Sequence, residues 1–264
     1  MKQQLIIRIS PHSLSFVVSD PSFDGGQFFL SYPLNVSASM AANMRNALAE
    51  EPVLGDAFRR VYVMADASVM LLPVEEFDEE ECASLYAYSF HLAKTDTVQY
   101  SVLPDLNAVA VYPVNRDLSQ VIADHFARPL YMPLQSSVWH HLHRRSHTSQ
   151  TIRKLYAYFH DKKLEVFAFR QHRFRFYCTY DAARVSDAAY YILSVWKQLS
   201  FDVEKDELYV VGDIPEREQM LAELRGYLRN AYTINPTADF NRAPITQVKG
   251  VPYDVMALVV NGRN

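Results

Sequence analysis

Glycine is scarce in this chain, with seven residues in 264. Loops that close backbone amides around a phosphate need several glycines within a few positions, so this scarcity nearly excludes a P-loop or a dinucleotide fingerprint. Cysteine is scarcer still. Cys82 and Cys178 stand far apart without the paired spacing of a zinc site, and read as ordinary buried thiols. Positive charge is not in excess: 26 Lys and Arg face 30 Asp and Glu, a net charge of −4, so no overall field draws the chain to nucleic acid or acidic lipid. No apolar run reaches the roughly 20 residues that span a bilayer, so no membrane insertion is expected. The opening MKQQLIIRIS is too short, and too interrupted by Arg8, for a signal-peptide core, which makes the cytoplasm the expected location. Aromatic residues, by contrast, are plentiful. They make up 13% of a chain that is 49% apolar, ample for one large core or two ordinary ones.

The aromatics are ordered. Tyr156, Tyr158, Glu165, Phe167, Phe169, Phe174, Phe176 and Tyr180 recur at even spacing, the period of a pleated strand, with polar breaks at Asp161-Lys162-Lys163 and Gln171-His172-Arg173. After Asp187 the period becomes helical, and Tyr209-Val210-Val211 is a further strand. The start of the chain follows the same plan. Strands are predicted over 5–9, 14–18 and 28–32, the first two joined by the turn Ser10-Pro11-His12-Ser13. A helix follows from Ser37, with Ser37 or Ser39 as cap and Pro52 beyond its end, and then a strand over 60–65. Each copy takes about 60 residues to run strand, turn, strand, turn, strand, helix, strand. A βββαβ unit used twice predicts two related domains, 1–150 and 151–264, with the polar stretch 148–151 as the break between them.

The residues between the copies decorate the first domain. They include a strand near Met70, an acidic run from Glu75 to Glu81 read as the first turn of a helix over 79–92, a hairpin of 98–103 and 108–112, and helices over 118–126 and 136–146. Beyond the second copy a helix is predicted over 215–230, with Pro215 in its first position and Asp213 as cap, and then a short strand over 231–234. The apolar run 255–260 fits either a strand or a buried helix.

The duplicated unit, followed in its second copy by VVGDIPEREQMLAELRGYL, resembles the actin-like ATPase fold of actin, sugar kinases and the pilus assembly protein PilM. The sequence as a whole is also similar to an uncharacterised bacterial family placed with that fold. The resemblance implies an α/β architecture of duplicated actin-like, or ribonuclease H-like, domains with mixed sheets flanked by helices. It further implies that any nucleotide would lie between the domains, nearest Asp161, Lys162, Gly212 and Asp213. Two departures bear on chemistry. The family grips phosphate in the first hairpin of each domain with glycine-bearing turns, whereas Ser10-Pro11-His12-Ser13 and His160-Asp161-Lys162-Lys163 contain no glycine, and Pro11 has no amide to offer. Of the family's adenosine loop only Gly212 and Pro215 fit. The expectation is therefore a pseudoenzyme of unknown function without a cofactor: a non-hydrolysing scaffold or protein-interaction module that binds a protein partner or itself. The alternative is a divergent ATP-binding protein or ATPase using magnesium and ATP in the interdomain cleft.

Other residue groups suggest chemistry more weakly. His140, His143 and His147 share one helix face, as zinc ligands can, yet a zinc site needs a fourth partner and carboxylates behind the rings, so a solvated helix at the domain junction is expected instead. Arg170, Arg173 and Arg175 alternate with aromatics in the manner of a single-strand nucleic-acid platform. A one-sided sheet needs that same alternation for its own burial, so nucleic-acid binding is not expected. No nucleophile elbow supports a hydrolase triad.

Overall fold

The computed structural model describes residues 2–146, 152–171 and 173–262. In the first half, β1 (Lys2–Ser10), β2 (Ser13–Ser19) and β3 (Gln27–Tyr32) form an antiparallel meander. Then α1 (Met40–Glu50) crosses over to β4 (Phe58–Ala65), which lies parallel to β1. Ser39, not Ser37, caps α1, accepting a hydrogen bond from the Ala42 amide at 3.2 Å. The inserted segment supplies β5 (Met70–Pro73), α2 (Cys82–Ser89), β6 (Asp96–Leu103) and β7 (Ala108–Asn115), and its strands make a separate sheet in the order β5-β7-β6. The chain returns through α3 (Arg116–His125) and β8 (Leu130–Pro133), completing a first sheet of order β3-β2-β1-β4-β8, and continues into α4 (Gln135–Ser146).

The second half repeats the plan. β9 (Lys154–His160), β10 (Lys163–Arg170) and β11 (Arg173–Asp181) form a meander; α5 (Val185–Gln198) leads to β12 (Glu207–Gly212), parallel to β9; and α6 (Arg217–Arg225) leads to β13 (Ala231–Thr233). Its sheet order, β11-β10-β9-β12-β13, matches that of the first sheet strand for strand. The chain closes with α7 (Pro236–Asp239) and α8 (Tyr253–Asn261), which settles the apolar run near the C-terminus as a helix. Residues 148–151, where the domain break is expected, lie outside the described residues.

Three of the apolar cores among the described residues follow from the strand period of the two large sheets. Leu5, Ile7 and Ile9 turn to one face of β1, against Met44 of α1 and Ile122 of α3, while Leu155, Ala157 and Phe159 of β9 face Ile192 of α5 and Met220 of α6. The opposite faces, carrying Ile6 and Met64 in one half and Tyr156, Tyr158 and Phe167 in the other, meet in a single shared core with Trp139 of α4 and Val255 of α8. Helices thus cover the outer faces, and α4 and α8 sit between the two sheets.

Three local expectations are corrected. The acids 75–81 precede α2 instead of starting it: the helix begins at Cys82 and carries no acid in its first turn. Asp213 and Pro215 do not open α6, which begins at Arg217 after Glu216 takes a left-handed φ of 40°. And α4 is not a solvated helix, because Ser136, Val138, Trp139, His141, Leu142 and His143 are all buried. Its histidines look polar in the sequence, but a ring body packs well when its nitrogens find partners, as those of His141 do in Asp239 and Asn261.

Candidate functional site

The first hairpins of the two halves face each other across the shared core, and the strand period decides what they carry there. Counting along β1 from Ile6, the inward face presents Arg8 and Ser10; along β9 and β10 it presents Tyr158, His160, Lys163 and Glu165. All but the half-buried Lys163 are buried, so their polar groups need partners inside the protein.

They find one another. The Arg8 guanidinium donates from Nε to both carboxylate oxygens of Asp254 at 3.0 Å, from one terminal nitrogen to Asp161 at 2.6 Å, and from the other to the Ser13 hydroxyl at 3.1 Å. Ser10 donates to the second oxygen of Asp161 at 2.7 Å. Tyr158 donates to Asp254 at 2.8 Å, and Asp254 on α8 is wholly buried. A second bridge joins the halves where Lys163 donates to both oxygens of Asp66 at 2.9 Å. His160 completes the cluster: its Nδ1 lies 3.3 Å from Asp161 and its Nε2 3.1 Å from Glu165, which has no solvent exposure.

Electrostatics follow from this wiring. Burial alone would depress the His160 pKa, but its bonds to Asp161 and Glu165 push it up to about 10, so the ring is a cation at neutral pH. Burial would raise Asp161, yet the donors His160 and Arg8 hold it well below the usual carboxylate range. Glu165 is pushed up by burial, with His160 pulling it back. Asp66, His160 and Asp161 bring ligand-type atoms within 4.8 Å of one another, a spacing that suits a metal ion. Each is already engaged, however: Asp66 by Lys163, Asp161 by Arg8, and both His160 nitrogens by carboxylates. A protonated imidazole has no lone pair for a metal.

The four residues singled out from sequence are all placed near this junction. Asp161 is the electrostatic hinge of the cluster, and Lys162 is exposed beside it. Both occupy the left-handed region, φ 45° and 65°, making a tight two-residue hairpin turn without the glycine that such a turn favours. Gly212 has a packing reason of its own. At φ 93° it lies so close to β9 that a Cβ would stand 2.0 Å from the Phe159 carbonyl oxygen. The Asp213 amide donates to that same oxygen at 2.9 Å, and its carboxyl is pushed up by burial and by the field of Asp254. Next to the first hairpin a pocket of about 370 Å³ opens between Ser10, Met40, Asp66, Leu118, Tyr131 and Lys163.

Sequence reasoning missed Arg8, Asp66, His160, Lys163, Glu165 and Asp254 as partners. One signal was present: a lone arginine inside the apolar strand LIIRI has to be neutralised somewhere.

Several side chains of the weaker groups have partners of their own. His140 lies 3.5 Å from Asp105, whereas His143 packs edge-on against Phe169, so the two do not converge; His147 lies outside the described residues. His141 is held down to about 4 by burial and the field of Arg145, and as a neutral ring donates from Nε2 to Asp239 at 2.7 Å. Of the arginines proposed for nucleic acid, Arg173 pairs with Glu75 at 2.6 Å, and Arg175 donates to the Leu199 carbonyl at 3.1 Å.

Two matching five-stranded sheets joined across a shared core, with the first hairpin of each half at the junction, define an actin-like fold. The chain belongs to the family described as "Protein of unknown function (DUF3822)", which it matches over residues 1–231. In structure it is similar to a Bacteroides thetaiotaomicron protein with actin-like ATPase fold and unknown function, at 22% identity and a TM-score of 0.81, over 94% of this chain and 96% of that one. It is also similar to the PilM–PilN type IV pilus biogenesis complex, at 13% identity and a TM-score of 0.56, over 99% and 98% of the two chains. No curated protein matches the sequence. No helix among the described residues is long and apolar enough to cross a membrane.

Proposed function

We propose that this protein is a non-hydrolysing scaffold of actin-like fold that binds a protein partner. The observation that supports the reading is the mutual occupation of the two hairpin turns. By resemblance, these turns are where nucleotide phosphates would sit. Here Asp161 of the second turn is filled by Arg8, Ser10 and Ser13 of the first, and Lys163 is committed to Asp66. A phosphate entering the cleft would have to displace Asp161 from Arg8 and meet turns that offer no glycine amides, one of them with a proline in place of a donor. The residues present do not fit magnesium and ATP. An interaction role also agrees with the solved PilM–PilN assembly, in which a protein of similar fold is held with another protein.

The competing reading is a divergent ATPase that would use Asp161, Lys162, Gly212 and Asp213 together with the pocket beside Ser10. Calorimetric titration with Mg-ATP to millimolar concentration, paired with a phosphate-release assay, separates the two. Neither saturable heat nor phosphate release is expected. A saturable isotherm that the rim substitution Asp213→Lys abolishes would overturn the scaffold reading.

A further inference from the structure

The inserted unit carries a surface that the duplicated halves do not account for. Helix α2 reads CASLYAYS and contains no charged residue. Only Cys82 and Tyr86 turn inward, onto Val109 and Val111 of β7. Leu85, on the flank of that inward face, is exposed, and Tyr88, turned away from it, is 92% exposed. A helix apolar on its core side and on its solvent side is ordinarily covered on both. The neighbouring edge strand extends the patch. Val98, Tyr100 and Val102 share the face of β6 that α2 packs on; the Tyr100 ring lies tilted against Phe77, 4.8 Å between centroids, and Val102 is 53% exposed.

The segment leading into this patch is strongly acidic. Glu75, Glu76, Asp78, Glu79, Glu80 and Glu81 lie immediately before α2. Glu75 is paired with Arg173, while among the described residues none of the other five forms an ion pair. An uncovered apolar centre beside a run of uncompensated carboxylates repels nucleic acid and anionic lipid, and complements a partner whose apolar side chains are flanked by Lys or Arg.

We infer that the exposed side of α2, with Tyr100 and Val102 of β6, is the docking surface for a basic amphipathic segment of a protein partner. Such a segment lays apolar anchors at helical spacing over Leu85 and Tyr88 and sets its cations against Glu76 to Glu81. The inference rests on the interaction reading given above, but it involves neither hairpin turn, so a nucleotide result leaves it standing.

The test uses the full-length chain and two labelled model peptides of equal length, one of alternating leucine and lysine at helical spacing and one with glutamate in place of lysine, followed by fluorescence anisotropy. The leucine-lysine peptide is expected to bind saturably, to weaken at least tenfold for Tyr88→Ala and for Leu85→Ala, and to weaken as salt rises. It should bind unchanged to Tyr190→Ala, which removes another exposed tyrosine, on α5. The glutamate peptide should not bind. Because Leu85 and Tyr88 are solvent-exposed, both variants should keep the wild-type circular dichroism spectrum. Equal binding to wild type and to both α2 variants, or no saturable binding, overturns the inference. So does a concentration-dependent dimer, seen by sedimentation, that Leu85→Lys abolishes, since the surface would then belong to a second copy of the chain.

Discussion

Arg8 and Asp161, 153 residues apart, meet at 2.6 Å across the junction of the two halves, and Arg8 also holds the wholly buried Asp254. One side chain on the first strand therefore ties together the second hairpin and the last helix.

Removing it should cost much of the stability of the fold. Arg8→Met leaves Asp254 buried without a cation, a defect that costs on the order of 3–5 kcal/mol. Urea denaturation should show this as a lower midpoint. Asp254→Asn in the Arg8→Met background should recover part of the loss, because the uncompensated charge is gone. A single variant within about 1 kcal/mol of wild type would mean that the pair is not the tie it looks like.

Stability should depend on pH at both ends, in opposite senses. Asp161 is held below its ordinary value, so its contribution is present above about pH 4 and fades as pH falls through the lowered value. His160 is raised from 6.5 to about 10, so its contribution is complete below pH 6.5 and is lost progressively as pH climbs to 10. Unfolding free energies measured from pH 4 to 10 should decline above pH 6.5 more steeply in wild type than in His160→Gln. Parallel curves would remove His160 from this account.

The two glycines Gly212 and Gly26 should behave differently. Both have positive φ, but a Cβ at Gly212 meets the Phe159 carbonyl at 2.0 Å, whereas at Gly26 nothing lies within 4 Å. Gly26→Ala should cost only the left-handed strain of roughly 1–2 kcal/mol. Gly212→Ala must also push β12 off β9, and should lower the melting temperature well beyond that. Equal shifts would show that the strand contact relaxes freely.

The cap of α1 discriminates between two serines three residues or fewer from the helix. Ser39→Ala should cost about 1 kcal/mol by removing the acceptor for the Ala42 amide. Ser37→Ala, whose hydroxyl caps nothing, should stay within about 0.5 kcal/mol of wild type by the same denaturation assay.

Much of this architecture is determined by the sequence itself. A strand period of two and a helix period of 3.6 act locally, so the duplicated βββαβ order, the crossovers and even the missing glycines of both hairpin turns can be read from neighbouring residues alone. Asp161 and Gly212 stand out only through the resemblance to the actin-like fold, whose phosphate and adenosine turns they match in position. Tertiary structure decided the rest. The period assigns Arg8, Tyr158, His160 and Glu165 to a face, but on a central strand both faces are buried, and nothing local says which face meets the other half. The bond from Arg8 to Asp254 spans 246 residues and exists only because two sheets and α8 close on one core. The same closure buries the histidine-rich α4, which looks solvated from composition, and leaves α2 open, although its residues are as apolar as those of a core helix. Burial is a property of the packed layers, and a helix's own residues do not contain it.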